Sequence, residues 1–277
     1  MNPLWIVLIT AAAACTFAWC ASLITRDYSW VDRSWSILPV VYVLEFAGAA
    51  HFSDVRLDVM AAVVFVWGAR LTFNFARKGG YSGVEDYRWA VLRSKMNQWQ
   101  FQLFNLFFIV LYQNFILVII TLPAYIAYQN RSDALGAVYM VVAAAFLACT
   151  AGETIADQQQ WAFHKLKASE LATGRTPDPQ FCQTGLFRYS RHPAYFFELA
   201  QWWLVFVMGA ITANWLFQIS LIGPVLLTAL FIGSTRFTES ITLTKYPEYA
   251  KYQEVTSPVV PWFVRTRGAS ASLSNAE

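Results

Sequence analysis

Long apolar runs separated by short charged stretches make up most of the chain. Seven of them approach the roughly 20 residues that cross a hydrocarbon layer: about 3–24, 34–51, 58–76, 102–128, 134–161, 193–213 and 216–238. Such runs are too long for barrel strands, and in lipid a helix satisfies every backbone group internally. The pattern therefore predicts an all-α polytopic membrane protein: a bundle of about seven transmembrane helices forming one domain over 1–264, with a disordered tail over 265–277. Met1-Asn2-Pro3 runs straight into the first apolar stretch without the basic residues that open a secretory signal, so that stretch is read as a retained span. The fifth run is expected to continue as helix beyond the membrane, because AGETIADQQQWAFHKLK (151–167) holds no breaker before Gly174. A loop with Pro177 and Pro179 follows. Near the end, KYPEYAKYQEVTSPVVPW (245–262) reads as a short amphipathic helix at the interface, stopped by Pro258 and Pro261.

Composition agrees with this pattern: 57% of the 277 residues are hydrophobic and only 13% charged, against nearer a quarter in a soluble domain. The net charge of +3 comes from 20 basic and 17 acidic side chains, a balance that does not suggest nucleic acid. Placement says more than the sum. Seventeen of the 20 basic residues fall in or beside the odd-numbered loops and the C-terminal tail; Arg56, Arg70 and Arg131 are the exceptions. The positive-inside rule then puts those loops and the C-terminus in the cytoplasm and the N-terminus outside, in what reads as a bacterial inner membrane. Four cysteines (Cys15, Cys20, Cys149, Cys182) show neither metal nor redox spacing.

Polar groups are costly inside spans, so each is a candidate for function. Asp32 and Arg33, in SWVDRSWSILP (29–39), sit where the second span begins; they form either an interfacial ion pair among Trp30 and Trp35 or part of a site. Glu45 lies deeper in that span. Arg70 and Asn74 occupy the third, with Arg77 at its end. The loop KGGYSGVEDYRWAVLR (78–93), containing Arg88, could fold over a ligand or serve as a wet linker. Glu153, Asp157, Trp161 and His164 repeat at helical spacing with Lys165 beside them, a face able to bind ribose hydroxyls and a phosphate, or simply a solvated one. GLFRYSRHPAYFFE (185–198) is the densest cluster: Pro193 opens a helix whose N-terminus points at Arg188, Arg191 and His192, a place suited to a phosphate or carboxylate. Along that helix Tyr195, Glu198 and Trp202 share a face. Arg236 and Glu239, three apart in the last span, are a mutual ion pair or two further ligands.

At GLFRYSRHPAYFFELAQWW, DRSWSILP, the Glu85-Asp86-Tyr87-Arg88 loop and YPEYAKYQEVTSPVVPW, the chain resembles the steroid 5-alpha-reductase-like membrane family, especially its bacterial branch, over nearly its whole length. The resemblance implies NADPH bound at the cytoplasmic side and hydride transfer to the β-carbon of an enone in a lipophilic substrate that enters from the bilayer, with membrane lipid as the surroundings and no obligatory protein partner. It places the carbonyl-polarising acid on Asp32, the nicotinamide-contacting carboxylate on Glu198 and the ribose-binding aspartate on Asp157. The cofactor contacts expected are Asn74, Arg77, Arg88, Asp157, Lys165, Tyr189, Arg191, His192, Tyr195, Glu198, Arg236 and Glu239, with no metal. Three positions depart from the family pattern: its cofactor-binding asparagine falls on Ala194, its glutamine before the acid on Val31, and its tyrosine near Trp67. The RHPAY string with a following acid also resembles isoprenylcysteine carboxyl methyltransferases and phospholipid methyltransferases. There Arg191, His192 and Glu239 would cradle S-adenosylmethionine.

Overall fold

A computed structural model describes residues 2–131 and 134–264; the tail expected to be disordered, 265–277, lies outside them. The helix starts follow from local chemistry. Asn2 accepts from the Leu4 N–H at 3.0 Å, with Pro3 in the first turn of α1 (Pro3–Thr25). Asp54 accepts from the Leu57 N–H at 2.8 Å and opens α4 (Val55–Arg77). Asn97 and Gln100 cap each other reciprocally at the head of α6 (Gln98–Gln129). The remaining long helices are α7 (Ala137–Ala172), α8 (Pro193–Ala213) and α9 (Ile222–Lys245). The fifth apolar run does continue as helix: α7 carries on without a break through 151–167 and beyond.

Helix dominates at 75%, and no strand forms among the described residues. Among the described residues six helices are long and apolar enough to cross a membrane. The second expected span differs from the others. Pro39 lacks an N–H and its ring cannot sit over the Trp35 carbonyl, so one helix cannot run through 34–51. The segment forms instead as α2 (Trp30–Ser34), a turn, and α3 (Leu38–Ala49). At 12 residues α3 rises about 18 Å, short of a hydrocarbon core by itself. Two short helices complete the set, α5 (Tyr87–Arg93) and α10 (Tyr249–Val255), the latter inside the expected interfacial stretch.

The described residues divide into two compact units. The first holds the chain up to Thr150 together with Leu199–Leu230. In it α3 packs against α1 and α4, and a Cβ on Gly68 would stand 2.6 Å from the Ser36 carbonyl oxygen, so glycine is what lets α4 approach so closely. Trp67, fully buried, meets Trp202 edge-to-face at 4.9 Å. Within α6 the backbone widens into a π-helical stretch from Asn105 to Tyr112. The second unit holds Ala151–Glu198 and the chain from Phe231 on. Here a Cβ on Gly152 would lie 2.5 Å from the Phe197 ring, and the segment after α10 pairs with 189–192.

Candidate functional site

In the first unit the 78–93 loop folds over the 27–33 segment and closes around Asp32. Asp86 caps α5 by accepting from the Arg88 N–H, and its own N–H donates to Ser29 Oγ at 2.8 Å. The Tyr28 N–H donates to Glu85 at 3.1 Å, and Tyr81 donates its hydroxyl to the Arg33 carbonyl at 3.0 Å. Three arginines are closed on three carboxylates: Arg33 on Asp27 at 2.5 Å, Arg88 on Asp86 at 2.8 Å and Arg93 on Glu85 at 3.0 Å. The adjacent pair Asp32–Arg33, one reading of the sequence, does not form. Arg33 also donates Nε to the Gly80 carbonyl and lies over the Trp30 ring.

Asp32 is thus the fourth carboxylate, with no salt bridge of its own among the described residues, and it takes the Trp89 indole N–H at 2.7 Å. Burial pushes its pKa up from the ordinary aspartate value; nearby Arg88 pulls it down and Asp86 pushes it further up. A proton on Asp32 brings the cluster of Asp27, Asp32, Arg33, Glu85, Asp86, Arg88 and Arg93 to neutrality, three charges against three. Asn74 and Arg77, expected cofactor contacts in this unit, are tied together: Arg77 donates Nε to Asn74 Oδ1 at 2.9 Å.

In the second unit Arg191, His192 and Glu239 converge. The Arg191 fork donates to both oxygens of Glu239, at 2.6 and 3.1 Å, while Nη1 donates to the Gln253 and Thr256 carbonyls. His192 Nε2 stands 3.0 Å from Glu239 Oε1; Gln253 and Tyr249 add donors to the same carboxylate. The Arg191 and His192 N–H groups donate to the Ser257 and Pro258 carbonyls, and the Trp262 N–H to the Tyr189 carbonyl, so the C-terminal segment lies along the helix entrance. Glu239 consequently pairs with Arg191 rather than with Arg236, which stays exposed. His192 stacks on Tyr195 at 5.2 Å. Asp157 and Glu198 are buried, and Lys165 is exposed over the Trp161 ring at 5.3 Å.

The sequence-expected residues fall into both units: Asp32, Asn74, Arg77 and Arg88 in the first, the rest in the second. Sequence reasoning missed Trp89 as the partner of Asp32, Asp27 as the partner of Arg33, and Gln253 and Tyr249 on Glu239. The Asp86 cap was legible in EDYRW, whereas the direction in which the Trp89 indole turns was not. Among the described residues no three His, Cys, Asp or Glu side chains gather as a metal site would require.

A family model described as "Protein of unknown function (DUF1295)" matches residues 18–256. An uncharacterised protein of Schizosaccharomyces pombe is 34% identical over 276 residues, covering 94% of this chain and 80% of its own length. No solved structure matches the chain significantly. Because that relative is fungal, the similarity gives no support for a specifically bacterial membrane.

Proposed function

The chain belongs to the DUF1295 family, and from that premise we propose that it is a membrane-embedded, NADPH-dependent reductase of a conjugated enone in a lipophilic substrate. The observation that carries the reading is Asp32, a half-buried carboxyl without a salt bridge among the described residues, held by the Trp89 indole among three closed ion pairs. The family's relation to steroid 5-alpha-reductase-like proteins supports it. The residues present fit the cofactor in kind. Buried Asp157 and Glu198 are carboxylates suited to ribose hydroxyls and a carboxamide, and exposed Lys165 and Arg236 are cations suited to phosphates. Arg191 is already committed to Glu239, so in this reading it braces the cofactor-binding segment. When bound, NADPH supplies the hydride that reaches the β-carbon.

Asp32 does the work of the chain at the other end of the enone. Negative charge that builds on the carbonyl oxygen meets the Asp32 hydroxyl, whose proton is then passed on to complete the addition of two hydrogens across the C=C bond. Trp89 and Ser29, both hydrogen-bonded to the carboxyl, hold it in place. Incubating membranes with NADPH and a 3-keto-4-ene steroid, with mass spectrometry for a gain of two hydrogens, tests this. Wild type should form product and Asp32→Asn should turn over about 10²-fold slower at unchanged expression; equal turnover by the two removes Asp32 from the mechanism.

The convergence of Arg191, His192 and Glu239 favours a second reading, an S-adenosylmethionine-dependent methyltransferase of membrane lipids or prenylated groups, in which that cluster would meet the methionine moiety. It leaves Asp32 without a task.

For orientation, we propose that the 34–51 stretch, the turn after α2 together with α3, makes a seventh crossing with Asp32 at its edge. The connections 26–29 and 50–54 are too short to return the chain outside the bilayer between α1 and α4. That places the N-terminus outside and the C-terminus in the cytoplasm, in agreement with the basic loops.

A further inference from the structure

We infer that the first unit holds an intramembrane site for a monovalent alkali cation, built by Glu45, Asn114 and Tyr42 and separate from the chemistry at Asp32. Contacts along α1 fix the level of each group. Thr10 donates its hydroxyl to Glu45 Oε1 at 2.6 Å, so Glu45 on α3 stands level with Thr10. Asn105 Nδ2 meets Ser22 at 2.9 Å and the Cys15 thiol meets the Val110 carbonyl at 4.0 Å, so α6 descends as α1 rises. Four residues past Val110, Asn114 therefore arrives near the level of Thr10 and Glu45. Tyr42 shares the Glu45 face of α3, three residues away, and is fully buried.

Three buried polar atoms at this level have no hydrogen-bond partner among the described residues: Glu45 Oε2, Asn114 Oδ1 and the Tyr42 hydroxyl. Asn114 is 1% exposed, and its amide nitrogen already donates to the Val110 carbonyl at 2.8 Å. What remains is oxygen: a carboxylate, an amide carbonyl and a phenol, beside a π-helical stretch whose wider turns loosen the backbone carbonyls. The phenol O–H can serve only one of the two acceptors, and the other calls for a positive charge. Hard oxygen ligands suit an alkali or alkaline-earth ion. The single carboxylate selects charge +1, because a divalent ion would leave an uncompensated charge in hydrocarbon. In membrane transporters, backbone carbonyl oxygens freed from regular helix hold such ions near the bilayer midplane.

The test is thermal unfolding of the purified full-length protein in sodium or potassium chloride against choline chloride at equal ionic strength. Binding to the folded state alone should give a saturable rise of a few degrees in sodium or potassium and none in choline. Glu45→Gln and Asn114→Ala should each lose that rise, while Asp32→Asn should keep it. Should Glu45→Gln not fold, Asn114→Ala decides alone. Identical unfolding of the wild type in all three salts, or a rise that survives in either site variant, overturns the inference.

Discussion

Asp32 and Arg33 are neighbours in sequence and strangers in space, and that separation decides what Asp32 can do. Successive residues of a helix point about 100° apart, so α2 turns Arg33 back to Asp27 and leaves Asp32 facing Trp89. The sequence displayed the charges but not their partners, because each partner lies on a loop whose path only packing determines. Burial raises the Asp32 pKa, which makes stability depend on pH in a definite direction. The folded state holds the proton more tightly than the unfolded chain. The contribution of Asp32 is therefore complete below the ordinary aspartate value, about 4, and is lost as pH climbs through the raised one. Asparagine has no proton to lose. Thermal unfolding across a pH series should show Asp32→Asn gaining on wild type from about pH 4 upward; parallel curves would mean that Asp32 is not desolvated.

Among elements, the clearest result is the clasp of α8, α9 and the C-terminal segment through Arg191 and Glu239. The residue types were visible in the RHPAY string and the last span, and their use as a binding cradle was one reading of them. Their mutual pairing was not visible, since 48 positions separate them. Removing one partner of a buried pair strands a charge at a cost of about 3–5 kcal/mol, whereas replacing both with apolar groups is often neutral or stabilising. Arg191→Met should therefore unfold at markedly lower temperature, and the double variant Arg191→Met/Glu239→Leu should recover most of the loss. If the single variant is as stable as wild type, the cluster is held open for a ligand rather than closed on itself. Other elements were less legible. Pro39 announced the break between α2 and α3, but NLFFIVLY (105–112) looks like any apolar run and gives no sign of its π-helical turns.

For the whole molecule, hydropathy was enough for the architecture, because in lipid an apolar run of sufficient length has few alternatives to a helix. It was not enough for the crossing count, which rests on a 12-residue helix. A reporter active only outside the cytoplasm, fused after Val264, should be silent, and the same reporter fused before α1 should be active. Activity at both positions would mean an even number of crossings, with α3 not among them, and activity after Val264 alone would mean the inverted orientation.

The central claim is that this membrane protein works with NADPH, and direct binding tests it most closely. Purified protein titrated with NADPH, followed by quenching of its tryptophan fluorescence, should saturate. S-adenosylmethionine should neither quench nor compete. Saturable binding of S-adenosylmethionine without binding of NADPH would contradict the account and assign the Arg191–His192–Glu239 cluster to methyl transfer.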